Sequence, residues 1–220
     1  MTVVLVTGGA RGIGRGSVEA AAARGWTAVA ADLSHDGNLP DGVDFVECDV
    51  TDVKSVAVTC EEVVRRHGRI DGVHANAGVA DWEPFLDMSP ETYRQTMAVN
   101  LDGMFATCQA AGRVMVEQGS GAMVLTSSVR SVATNPQHAA YTASKGGTNG
   151  LVTALATELG PLGIRVNGVL PGAIETPMND AAVALRRRPR GVATQLHPAR
   201  PAPPARPPSR GRGGRGLPAV

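Results

Sequence analysis

Short apolar runs alternate with longer amphipathic stretches over most of this chain. Residues 2–7 ("TVVLVT") are β-branched and apolar at nearly every position, the pattern of a strand covered on both faces. Residues 27–31 ("TAVAA"), 43–47, 72–75, 122–126 ("AMVLT") and 164–170 read the same way. Between them, residues 12–24, 52–67, 101–117 and 141–159 carry apolar positions at helical spacing, with Asp52 placed to cap the second of these. Ser89-Pro90-Glu91 marks a further helix start, with proline in the first turn. Strand–helix alternation of this kind predicts an α/β fold: one doubly wound, Rossmann-type parallel sheet of about six strands with helices on both faces.

The pattern stops near residue 180. Residues 1–180 hold 20 acids against 12 Lys and Arg, a net charge of −8, whereas residues 181–220 hold nine arginines and no acid, a net +9. Eight of the 15 prolines also fall in those last 40 residues, where they interrupt any helix or ladder. We therefore expect a domain over 1–180, a disordered tail over 181–220, and no seventh strand. An Arg/Pro/Gly-rich stretch of this kind is what a shifted reading frame in GC-rich coding DNA would yield, and translating that DNA in its other frames tests the idea. The tail could bind phosphates through its arginines, but it offers no aromatic residue for base stacking, so nucleic acid is a poor fit.

Composition narrows the class further. The chain is 43% hydrophobic but only 3% aromatic, which suits small side chains packing helices closely on a sheet. Cys48, Cys60 and Cys108 are odd in number and lack metal-ligand spacing, and no signal peptide or bilayer-spanning run precedes or joins them. These features imply a cytoplasmic protein with reduced thiols, no metal centre and no membrane.

Two local constellations suggest chemistry. In "VTGGARGIGRG", Gly8, Gly12 and Gly14 lie between the first strand and the first helix. Glycines there allow a tight turn and let backbone approach a ligand, and the helix N-terminus can face a diphosphate. Asp32 ends the second strand, where a carboxylate accepts from an adenosine ribose and repels a 2′-phosphate. Arg11 argues the other way, and the carboxylate favours NAD over NADP. In "AYTASKG", Tyr141 and Lys145 stand four residues apart, on one face of a helix. That spacing fits an ordinary solvated face, and it equally fits a phenol whose proton a neighbouring ammonium makes easier to remove.

Seven motifs in order extend these readings: "TGGARGIG" at 7–14, "DV" at 49–50, "NAG" at 76–78, Asn100, "SS" at 127–128, "YTASK" at 141–145 and "PGAIETP" at 171–177. In this combination the chain resembles a classical short-chain dehydrogenase/reductase from Thr7 to about Met178. The resemblance implies a catalytic tetrad: Tyr141 as general acid–base, Lys145 lowering its pKa, Ser128 holding the substrate oxygen and Asn100 holding a relay water. It further implies a nicotinamide dinucleotide bound by Gly8, Arg11, Gly12, Ile13, Gly14, Asp32, Asp49, Val50, Asn76, Ala77, Gly78, Tyr141, Lys145, Pro171, Gly172, Ile174 and Thr176. Ser127 and Ser131 rival Ser128, and Asn100 could equally cap a helix. His74 reads as packing, and Trp82, Phe85 and Met104 as core or substrate wall. The implied activity interconverts a secondary alcohol and a ketone, in a homo-oligomer paired through the helices at 101–117 and 141–159. The alternative is a dinucleotide-binding protein with little turnover, since the family's substrate lid and last strand have no counterpart after residue 180.

Overall fold

A computed structural model describes residues 1–178. The tail at 181–220, and with it the expectations of disorder and of a missing seventh strand, lies outside the described residues. Six parallel strands form one sheet: β1 (Val3–Thr7), β2 (Thr27–Asp32), β3 (Val43–Glu47), β4 (Gly72–Ala75), β5 (Gly121–Thr126) and β6 (Ile164–Val169), in the order β3-β2-β1-β4-β5-β6. Five α-helices lie wholly within the described residues: α1 (Gly12–Ala22), α2 (Val53–His67), α3 (Pro90–Met97), α4 (Gly103–Gln118) and α5 (Ala139–Leu159).

Alternate residues of β1 enter different cores. Val3 and Leu5 join Val56, Cys60 and Val63 of α2 and Ala111 and Met115 of α4, while Val6 joins Val18 and Ala21 of α1. The period of two in the strand thus sends side chains to helices on opposite faces, as the continuous apolar run predicts. Burial of Cys60 and Cys108 in the first core pushes both thiols up to about 12, which keeps them inert.

Helix ends follow local chemistry. Asp52 accepts the Lys54 N–H at 2.9 Å to open α2, and Gly68, at φ 78°, closes it behind Arg65, Arg66 and His67. Ser89 accepts the Thr92 N–H at 3.0 Å to open α3, with Pro90 in the first turn.

Chain direction across the sheet reverses at β1: the chain steps outward to β2 and β3, then returns to β4 on the other side. In an open α/β sheet the crevice beyond the strand C-termini at such a point is where ligands bind. A five-residue π-helical segment, Ala98–Asp102, joins α3 to α4 at this level. Among the described residues β6 ends the sheet, with Arg165 and Asn167 exposed, and no helix is long and apolar enough to cross a membrane.

Candidate functional site

The glycine loop after β1 is built by backbone proximity. Gly8 and Gly12 hold left-handed φ values of 65° and 55°, which side chains disfavour. A Cβ on Gly8 would lie 2.9 Å from the Ala77 Cα, so the loop rests directly on the "NAG" segment after β4. Asn76 fastens the two together: its N–H donates to Thr7 Oγ1 at 3.1 Å, and its Nδ2 donates to the Thr7 and Gly8 carbonyls at 3.2 and 3.3 Å. At the end of β2, Asp32 accepts the Ala10 N–H through Oδ2 at 3.1 Å, tying the carboxylate to the same loop. No side chain caps α1, which leaves its first-turn N–H groups for a ligand.

These elements line a cleft of about 520 Å³, within the range of small-molecule sites. Its wall includes Gly8, Arg11, Gly12, Ile13, Asp32, Asp49, Val50, Asn76, Ala77, Gly78, Ser128, Tyr141, Lys145, Pro171, Gly172, Ile174 and Thr176, as the sequence predicts. Two expected residues stand behind the wall. Gly14 packs beneath the loop, where a Cβ would fall on the Gly8 carbonyl oxygen. Asn100 is fully buried in the π-helical segment and does not cap a helix. Its Oδ1 accepts the Val79 N–H at 2.8 Å, and its Nδ2 donates to the Val79 carbonyl at 2.9 Å and to Ser144 Oγ at 3.1 Å.

Long-range hydrogen bonds separate the three candidate serines. Ser127 Oγ donates to the Lys145 carbonyl at 3.0 Å, and Ser131 Oγ donates to the Ser128 carbonyl at 2.6 Å. Both hydroxyl hydrogens are therefore engaged by backbone. Ser128 Oγ accepts the Arg130 N–H at 3.1 Å, lines the cleft beside Tyr141, and its hydroxyl is one of the groups that lower the phenol's pKa.

Lys145 and Tyr141 lie side by side in the cleft. Burial raises the phenol above its ordinary value, and the groups that pull it back are the Ser128 hydroxyl and the Arg130 charge. The Lys145 ammonium lies over the face of the ring, 5.7 Å from its centroid, and donates to the Thr126 carbonyl at 2.7 Å. That bond anchors the ammonium to the end of β5. Burial lowers Lys145 to about 8.

Several neighbours carried no signal in the sequence. Asp81 is buried, and its Oδ1 accepts the Tyr141 N–H at 2.9 Å, fixing the first turn of α5 across 60 residues of chain. His138 is buried one turn before Tyr141 and packs edge-on against Trp82, with ring centroids 4.1 Å apart. Trp82 accordingly borders the cleft and Met104 lies in the core, but Phe85 is 74% exposed, so the core reading of Phe85 is corrected. Phe85 sits in an irregular stretch between β4 and α3, where no periodicity reports burial. His74 is a bridge: Nδ1 meets Ser17 Oγ of α1 at 2.9 Å and Nε2 meets Thr126 Oγ1 of β5 at 2.7 Å. Burial lowers it to about 4, so the ring is neutral at pH 7.

The comparisons with known proteins agree with this geometry. The family model "short chain dehydrogenase" matches residues 2–186. A D-threitol dehydrogenase of Mycolicibacterium smegmatis is 37% identical over 189 residues, 82% of this chain and 73% of that protein. A 3-oxoacyl-acyl-carrier-protein reductase of Thermotoga maritima is 37% identical over 187 residues, 81% and 76% of the two chains. Among solved structures, a levodione reductase superimposes with a TM-score of 0.81 at 33% identity, covering 84% of this chain and 77% of the other. A 3-ketoacyl-acyl-carrier-protein reductase of Brucella melitensis, complexed with NADH, gives a TM-score of 0.77 at 26% identity over 80% and 78%.

Proposed function

The chain belongs to the short-chain dehydrogenase family, and from that membership we propose that it interconverts a secondary alcohol and a ketone, with NAD as the hydride carrier and Tyr141 as general acid–base. The observation that carries this reading is that Ser128, Tyr141 and Lys145 line the same cleft as the glycine loop.

Several residues fit a dinucleotide. The left-handed Gly8 and Gly12 leave room for backbone to meet a diphosphate, and Asp32 is placed for an adenosine ribose. When bound, the nicotinamide supplies the hydride chemistry. The chain's own residues handle the proton and the oxygen. The Tyr141 phenol donates its proton to the substrate oxygen in reduction and removes it in oxidation. Ser128 donates a hydrogen bond to the same oxygen as charge develops there. Lys145 and Asn100 position the helix and loop around this pair, through Thr126 on one side and Val79 and Ser144 on the other. Asp32 opposes a 2′-phosphate while Arg11 attracts one; both line the cleft, and Asp32, fixed to the loop through the Ala10 N–H, is the stronger discriminator. Copies of the chain pair through α4 and α5 in this reading, where Phe105 and Val116 are exposed.

Tyr141→Phe tests the mechanism. Turnover of secondary alcohols, followed through NADH absorbance, falls at least about 100-fold while NADH affinity stays within a few-fold. A fully active Phe variant sinks the reading. Dinucleotide binding without turnover of any alcohol or ketone by the wild type favours a binding protein instead.

A further inference from the structure

We propose that the substrate carries a carboxylate on the carbon chain next to its reacting carbon, and that Arg130 is the residue that pairs with it. This deepens the oxidoreductase reading above and rests on it for the position of the reacting carbon.

Arg130 lies in the short 3-10 turn Val129–Ser131, two residues after Ser128. Its backbone N–H holds Ser128 Oγ, so one turn presents both the hydroxyl and the guanidinium to the cleft. The charge reaches the reacting end: it acts on the Tyr141 phenol and on the His138 ring alike.

What sets Arg130 apart is its lack of a counterion among the described residues. Arg15, Arg65, Arg66, Arg69 and Arg94 each hold a carboxylate. Arg11, Arg24, Arg113 and Arg165 hold none and are exposed, so water serves them. Arg130 is half-buried in the cleft, and among the described residues its guanidinium has neither an ion pair nor a hydrogen bond. Beyond the described residues the sequence holds one acidic side chain, Asp180, against nine arginines.

Among the described residues no carboxylate pairs with Arg130. Asp81 faces the α5 N-terminus through Oδ1, and its Oδ2 is buried behind the wall. Asp32 and Asp49 belong to the cofactor end. A half-buried cation without a partner has given up part of its water, and a ligand of opposite charge restores that interaction. A guanidinium presents a planar fork that matches a carboxylate in two hydrogen bonds. His138 and Trp82, packed edge-on, make a firm apolar wall beside it and add no charge of their own, since burial lowers the His138 ring.

The test uses the full chain loaded with NADH. Four- and five-carbon 2-, 3- and 4-oxo acids are titrated beside their methyl esters by calorimetry, and reduction of each is followed by absorbance. We expect at least one acid to bind at least about 10-fold more tightly than its ester, the scale of a charge-assisted hydrogen-bond pair. Arg130→Gln erases that preference while leaving ester binding within about 3-fold, and Arg130→Lys restores part of it. Equal binding of acids and esters by the wild type overturns the proposal. So does an equal loss for both in Arg130→Gln, which would mean that Arg130 acts only through Tyr141. Tighter binding of a phosphorylated ketone such as dihydroxyacetone phosphate than of any oxo acid overturns the carboxylate assignment. If acids bind preferentially but no compound is reduced, the anion site stands and the hydride-transfer reading fails.

Discussion

The two ends of the cleft are built in different ways. At the cofactor end the contacts are backbone on backbone: Gly8 against Ala77, Gly14 under the Gly8 carbonyl, Asn76 and Asp32 binding loop N–H and C=O groups. At the substrate end they are side chains with spare capacity. Asp81 Oδ2, Glu83 Oε2 and His138 Nδ1 are buried without a hydrogen bond, and Arg130 has no counterion among the described residues. A site satisfied by its own backbone keeps its shape before any ligand arrives. A site with unpaired polar atoms gains its last interactions from the ligand, so it can differ between relatives without disturbing the loop. Proteins named for D-threitol, 3-oxoacyl-acyl-carrier-protein and levodione are all similar to this chain, which fits such a division.

Breaking the rigid end has the largest expected effect. In Gly14→Ala the new methyl meets the Gly8 carbonyl and the Asn76 amide, neither of which can move without the loop. We expect a loss of about 3 kcal/mol or more, a fall of roughly 6 °C or more in the thermal midpoint, together with loss of measurable NADH binding. A Gly14→Ala protein with wild-type affinity would show that the loop is more pliant than its contacts imply.

His74 sharpens the comparison because it staples α1, which begins at the cofactor end, to β5. Its pKa falls from 6.5 to about 4 on folding, so between those values the unfolded chain binds more protons than the folded one. Stability is therefore full above pH 6.5 and declines as the pH drops toward 4, by at most about 3 kcal/mol. Denaturant titrations across that window measure the decline, and His74→Gln should flatten it. An unchanged slope in the Gln variant would assign the decline to other groups.

Lys145 sits at the seam between the two ends, and its expected effect is the smallest and opposite in sign. Its folded pKa of about 8, against 10.5, means that the buried charge costs stability at neutral pH and that the cost is relieved as pH rises through 8 to 10.5. Lys145→Met removes that cost but leaves the Thr126 carbonyl without its donor. We expect a net gain of about 1–2 kcal/mol, or roughly 2–6 °C, together with loss of turnover. A lower thermal midpoint would mean that Lys145 is held for stability.

Much of this molecule was legible along the chain. The short segments at 43–47 and 72–75 became strands with those bounds, Asp52 and Ser89 cap the helices they precede, and Gly8 and Gly12 take the left-handed turn. Each of these is a local matter, in which the periodicity of burial, the backbone freedom of glycine and the reach of a capping oxygen act within a few residues. The four-residue spacing of Tyr141 and Lys145 likewise ensured that they share a helical face. It did not determine where the ammonium goes, and β5 claims it through Thr126. Nor could spacing choose among Ser127, Ser128 and Ser131, pair Asp81 with the Tyr141 backbone, seat His74 between α1 and β5, or strand Arg130 without a counterion. Those outcomes depend on which strands lie side by side. Partners 18 to 60 residues apart meet only because β1 lies between β2 and β4, with β5 next to β4, and hydrogen bonds made across that order leave no period in the sequence.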